Sequence, residues 1–142
     1  MLNKFMERVN SKTIGDLAEL EVACDLAKQG YIVSRPLSDN ATYDLIADIN
    51  GRLLRVQVKA RAERNNAVAV ELRSCMRNYV YMYEKSDWDI LAVYNIKNGK
   101  LAYLTWDNIG DNGTVVLRVQ PPKNNQIKGV RMFEDFSRVA QR

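Results

Sequence analysis

An Asn-Gly pair at positions 50 and 51 separates two runs of strand-forming residues, 43–49 (YDLIADI) and 52–60 (RLLRVQVKA). Both central positions of a two-residue type I′ turn need φ > 0, which Asn and Gly tolerate, so the pair predicts a tight β-hairpin. Closing the chain there sets Ile49 opposite Arg52, and the same register carried outward sets Asp44 opposite Gln57. Directly opposite residues share a face of the sheet, and the two-residue period adds Lys59 to that face. The other face of the second strand, Leu54, Val56, Val58 and Ala60, is uniformly apolar and reads as core. An aspartate, a glutamine and a lysine are thus gathered at the open end of one hairpin, which marks a site.

The absence of histidine narrows what that site can do. A Ser-His-Asp triad, a Cys-His pair and a His-ligated zinc centre are all excluded, and no phosphate-binding glycine loop is present. Carboxylates, amides, lysines and a hard metal ion remain. The net charge of +4 suits a polyanionic partner. No apolar run approaches the roughly 20 residues of a membrane span, and the N-terminal ten residues, MLNKFMERVN, lack the apolar stretch of a signal peptide. Cys24 and Cys75 have no metal-type spacing and are expected as reduced, partly buried thiols, so the expected location is cytoplasmic.

Around the hairpin the pattern predicts a single domain over residues 1–142. Ile14, Leu17, Val22 and Leu26 recur near helical spacing across 11–29, with Ser11 or Thr13 as the cap and Gly30 as the stop. Strands are expected at 31–34, 67–72, 88–96, 100–106 and 114–119, the third and fourth forming a second hairpin around Lys97-Asn98-Gly99. The stretch 73–86 is ambiguous, and its tyrosines at 79, 81 and 83 are read as core. Residues 132–139 read as a short helix. One helix followed by a run of strands suggests a sheet with helices on its faces.

These residues carry a resemblance. Gly15 with Glu19, Gly30-Tyr31, Tyr43-Asp44-Leu45 and Arg55-Val56-Gln57-Val58-Lys59 resemble the PD-(D/E)XK nuclease superfamily. The pattern is most similar to the small group I intron-encoded homing endonucleases, and is also similar to Holliday-junction resolvases. Tyr43 replaces the motif's usual proline, and Gln57 replaces its second acidic residue. The likeness is strong over 11–60 and looser over 87–103, and it leaves 111–142 unassigned, as an extension for DNA contact or oligomerisation.

The resemblance implies an α/β, restriction-endonuclease-like core, a mixed sheet flanked by helices. It implies phosphodiester hydrolysis with Glu19, Asp44, Gln57 and Lys59 as the catalytic set. Asp44, Gln57 through its amide oxygen, the backbone carbonyl of Val58, and Glu19 would hold Mg²⁺ or Mn²⁺. Lys59 would steer the attacking water or stabilise developing charge. Double-stranded DNA is the implied partner, contacted by candidates Arg52, Arg55, Arg61, Arg64, Arg73 and Arg77, with Lys123, Lys128 and Arg131 behind them. Cutting two strands with one site per chain implies a homodimer or homotetramer. Three functions are compatible with the sequence: a homing-type double-strand endonuclease, a junction-resolving nuclease, and an inactive DNA-binding protein on the same scaffold.

Overall fold

The computed structural model describes residues 10–75, 77–110 and 112–140. Residues 1–9, on which the signal-peptide expectation mostly rests, lie outside the described residues, as do positions 76, 111, 141 and 142.

Helix α1 (Ser11–Lys28) buries Ala18, Val22 and Leu26, one residue per turn along a single stripe. Its cap is Asn10 rather than Ser11 or Thr13: Asn10 Oδ1 accepts from the Thr13 backbone N–H at 3.0 Å. The helix stops at Gly30, whose φ of +95° is the left-handed conformation a terminating glycine supplies. The Gly30 N–H bonds Ala27 O and the Tyr31 N–H bonds Leu26 O, a Schellman closure that turns Tyr31 into the core beside Leu26.

The central sheet holds β1 (Ile32–Ser34), β2 (Leu45–Ile49), β3 (Arg52–Arg61), β7 (Ile90–Asn95) and β8 (Leu101–Thr105), in that spatial order. All neighbours are antiparallel except β3 and β7, which run parallel from Val56 opposite Ile90 to Arg61 opposite Asn95. The β2–β3 hairpin forms in the expected register, with Ile49 opposite Arg52 and positive φ at Asn50 and Gly51. The second expected hairpin forms between β7 and β8. Between β3 and β7 the chain makes β4 (Ala67–Glu71), β5 (Arg73–Cys75) and β6 (Val80–Met82). The ambiguous stretch is therefore largely a small β5–β6 ribbon. Strand β9 (Thr114–Arg118) follows a four-residue helix α2 (Trp106–Ile109) and pairs with β4 as a second, two-stranded sheet.

Two apolar layers sandwich the central sheet. On one face α1 covers Leu45, Ala47, Val56, Val58, Ile90 and Ala92. On the other, Val68, Val70, Val115 and Leu117 of the β4–β9 pair cover Leu91, Val93, Ala102 and Leu104. Strand β7 is buried at every position, which explains its nearly continuous apolar run. The segment after position 111 is built into this core: β9 and Phe133 enter one layer, and Val139 enters the other. Its expected helix is a single 3₁₀ turn, Phe133–Phe136.

Two further expectations are corrected. Tyr79 is exposed rather than core, because it lies beyond the sandwich at the tip of the β5–β6 ribbon. Cys24 and Cys75 are unbonded but exposed rather than partly buried, one on the outer side of α1 and one on β5. Among the described residues no helix is long and apolar enough to cross a membrane.

Candidate active site

Asp44 directly precedes β2, and its backbone N–H bonds Val56 O at 2.9 Å, one residue out of step with the hairpin register, which ends at Leu45 opposite Val56. Its side chain then replaces the missing backbone partner of β3: Asp44 Oδ2 accepts the Val58 N–H at 2.8 Å. Gln57 lies opposite and is buried, and its Nε2 donates to the same Oδ2 at 2.8 Å and to Val58 O at 3.2 Å. The carboxylate is fixed from two directions by groups that belong to one strand.

Lys59 projects from β3 two residues further along. Its Nζ donates to the Arg73 carbonyl at 3.0 Å and stands 5.1 Å above the Tyr83 ring. Burial pushes the Lys59 ammonium below its ordinary pKa, assisted by Arg61 and opposed by Asp44. The β5–β6 ribbon and the residue just past it thus hold the amine that β3 presents.

Glu19 reaches the site from α1. Its Oε2 pairs with Arg35 Nη2 at 2.8 Å, just past β1. Burial raises the Glu19 pKa, the Asp44 charge raises it further, and Arg35 opposes both. Asp44 is likewise raised by burial, against the Val58 N–H and the Lys59 and Arg35 charges. Glu19, Arg35 and Asp44 line a common groove of about 320 Å³ with Asp16, Ser38 and Asp39. The structure therefore brings together all four residues of the expected catalytic set, two of them as desolvated carboxylates that repel one another.

The donor set suits a hard cation. Among the described residues no three Asp, Glu, Cys or His side chains converge as ligands, so a cation here depends on neutral oxygens. Asp44 Oδ2 and Val58 O both approach one point, now taken by a hydrogen-bond donor, and carboxylate plus carbonyl oxygens are the ligands Mg²⁺ accepts.

The expected DNA-contacting cations separate into two groups. Arg55 is committed inside the fold: its Nε and Nη2 each reach an Asp89 oxygen at 3.0 Å, and its Nη1 bonds Ser86 O. Arg131 caps the C-terminal end of α2 through Asn108 O and Ile109 O. Arg73 pairs with Glu71 at the surface, and Arg61 is half-buried with Nη1 on Ala60 O. Arg52, Arg64, Arg77, Lys123 and Lys128 are exposed. Arg64 opens a tight turn whose Asn65 and Asn66 both have positive φ. Sequence reasoning missed Arg35, Tyr83 in its contact with Lys59, and Asp89. Their partners lie 16, 24 and 34 positions away, and no local pattern marks such pairs.

The sequence model of the PD-(D/E)XK endonuclease family matches residues 9–139. The chain belongs to that family. Protein 5.3 of Escherichia phage T7 is 31% identical over 99 residues, 67% of this chain and 80% of that protein. The structure of a bacterial homing endonuclease, I-Ssp6803I, superimposes with a TM-score of 0.71 at 26% identity, covering 84% of this chain and 86% of that one. The fold is the restriction-endonuclease-like one expected. The protein is an endonuclease of the PD-(D/E)XK type.

Proposed function

We propose that this endonuclease is a metal-dependent, site-specific, double-strand DNA nuclease of the homing type, a single domain that acts as a symmetric oligomer. The observation that carries the reading is the convergence of Asp44, the Val58 carbonyl and Gln57 at the end of one hairpin, with Lys59 two residues further along β3 and Glu19 lining a groove with Asp44. A bound Mg²⁺ would supply Lewis-acid stabilisation of phosphoryl oxygen charge and a more acidic water. Asp44 and Val58 O would hold it, Gln57 would add an amide oxygen, and Glu19 would hold water at the outer side.

The chain's own residues do the positioning. The Val58 N–H fixes the Asp44 carboxylate before anything binds, so little reorganisation is left for the reaction. Lys59 offers an ammonium already held at its far side by Arg73 O and the Tyr83 ring. It is a compact charge suited to a phosphate oxygen. The exposed cations Arg52, Arg64, Arg77, Lys123 and Lys128 would carry the phosphate contacts. One site per chain and two strands to cut call for at least a twofold assembly.

The likeness to the bacterial homing endonuclease supports this reading over junction resolution. Cleavage with Mg²⁺ of linear duplex and of four-way DNA tests it. Site-specific cutting of linear duplex is expected. Cutting of four-way DNA alone would favour the resolvase reading, and binding without cutting would favour an inactive scaffold in which Gln57 has cost the site its charge.

A further inference from the structure

The chain makes a two-residue turn at positive φ twice. At the end of β3 remote from the site its central pair is Asn50-Gly51, with φ of +54° and +83°. Past Lys59, beyond the other end of β3, the pair is Asn65-Asn66, with φ of +52° and +60°. The Arg64 N–H bonds Ala67 O at 2.8 Å and the Ala67 N–H bonds Arg64 O at 3.1 Å, so this second turn is closed from both sides. Glycine enters the left-handed region freely, whereas a side chain there carries a cost that asparagine only reduces. At position 66 the turn therefore keeps a side chain that its backbone would do better without.

The fold itself makes no use of that side chain. Arg64, Asn65 and Asn66 are exposed, and among the described residues no hydrogen bond reaches the Asn66 amide. Its backbone is engaged, because Asn66 O accepts the Val119 N–H at 2.8 Å. The root of the loop is held as firmly. The Glu63 side chain, 8% exposed, takes the Lys97 ammonium at 3.0 Å and the amide of the fully buried Asn95 at 3.2 Å. The Ile96 N–H bonds Arg61 O at 3.0 Å beside them. A fixed root, a satisfied backbone and a free amide at the tip lose little freedom when the tip meets a partner.

We propose that Asn66 reads a base: the Asn65-Asn66 tip enters the major groove beside the cut, where the Asn66 amide donates to adenine N7 and accepts from adenine N6. This pairing is the one an asparagine amide makes with an adenine edge, and the groove, about 12 Å wide, admits a two-stranded ribbon. Arg64, one step before the turn, supplies the neighbouring phosphate contact that sets its register. The proposal rests on the site-specific duplex reading above and names a residue that confers the specificity. Seven positions separate Lys59 from Asn66, at most about 24 Å of backbone. With side-chain reach added, the base read lies within about eight base pairs of the scissile phosphate.

The test uses the full chain and a library of randomised linear duplexes, sorted by cleavage in Mg²⁺ and, separately, by binding in Ca²⁺, then sequenced. Wild type is compared with Asn66→Gly and Asn66→Asp. Glycine suits the positive φ and keeps the bond from Val119, so Asn66→Gly should melt within about 3 °C of wild type or above it. It should lose at least about fivefold of the preference for adenine at one base pair inside the eight-pair window. Preferences elsewhere, and the log–log salt slope of binding, should stay as in the wild type. Asn66→Asp keeps the shape but only accepts, so preference at that same pair should move from adenine toward cytosine. This second variant supplies the readout if Asn66→Gly fails to fold. A folded variant of either kind whose preferences match the wild type's at every pair in the window overturns the proposal and leaves the nuclease reading intact. A wild type that shows no base preference in either sort overturns the proposal together with the site-specific reading.

Discussion

Removing the Asp89 carboxylate should loosen the strand that carries the site, and the structure sets the size of the effect. Asp89 lies just before β7, where the parallel pairing with β3 begins, and it receives the Arg55 backbone N–H at 2.8 Å as well as the guanidinium. The ion pair is about one-third exposed on both sides, 34% for Arg55 and 33% for Asp89, so screening leaves it worth no more than about 1 kcal/mol. The larger loss is the acceptor of the Arg55 backbone N–H, about 1–2 kcal/mol when a partly buried donor is stranded. Asp89→Ala should therefore cost about 2 kcal/mol. With an unfolding entropy of about 0.3 kcal/mol/K for a chain of this length, that is a drop in Tm of about 7 °C. Arg55→Ala keeps the backbone bond and should cost about 1 kcal/mol or less, and the double variant should be less than additive. Urea denaturation of the three variants measures all of this, and the salt dependence of DNA binding supplies the second readout. Arg55→Ala should leave that slope unchanged. An Arg55→Ala variant as stable as wild type that loses about one phosphate's worth of salt slope would show that Arg55 binds DNA and does not serve as a clamp.

Arg64→Ala with Arg77→Ala should instead weaken DNA binding and flatten the log–log salt slope by about 0.9 for each phosphate no longer neutralised, measured by fluorescence anisotropy; an unchanged slope would remove these residues from the interface. Tyr83→Phe should keep cleavage within about twofold, and Tyr83→Leu should lower kcat about tenfold with little change in KM, because only the leucine removes the ring beneath Lys59. Burial raises the Asp44 pKa, so its contribution favours the folded state below the ordinary aspartate value of 3.8 and is lost as pH rises through the raised one. In EDTA at pH 7, Asp44→Asn should therefore melt above wild type, and the difference should shrink as pH falls below about 4; a lower Tm at pH 7 would contradict the sign.

The parts of this molecule that were legible in its sequence are those set by local chemistry. Asn50-Gly51 dictates its turn, the turn dictates a register, and a period of two then places Asp44, Gln57 and Lys59 together without knowledge of the rest. Gly30 and the stripe of Val22 and Leu26 did the same for α1. The remainder depends on contacts between distant segments. The pairing of β4 with β9 joins residues 67–71 to 114–118, and nothing in either run names the other. The role of each arginine was undecidable from the sequence because it depends on what stands opposite: Asp89 for Arg55, the end of α2 for Arg131, Glu19 for Arg35. The cap at Asn10 was misassigned for a smaller reason, since Ser11 and Thr13 have equally suitable oxygens and only the backbone path selects among them.

Single-turnover cleavage in Mg²⁺ by wild type and Asp44→Asn shows whether Asp44 serves the cleavage step, with duplexes selected from a random pool for binding in Ca²⁺ as substrate. The rate should be at least about 100-fold lower for Asp44→Asn, with DNA affinity in Ca²⁺ changed far less than the rate. Cleavage by Asp44→Asn at the wild-type rate would contradict that role, because Asp44 is the carboxylate that faces Gln57 and receives the Val58 N–H at the end of the hairpin.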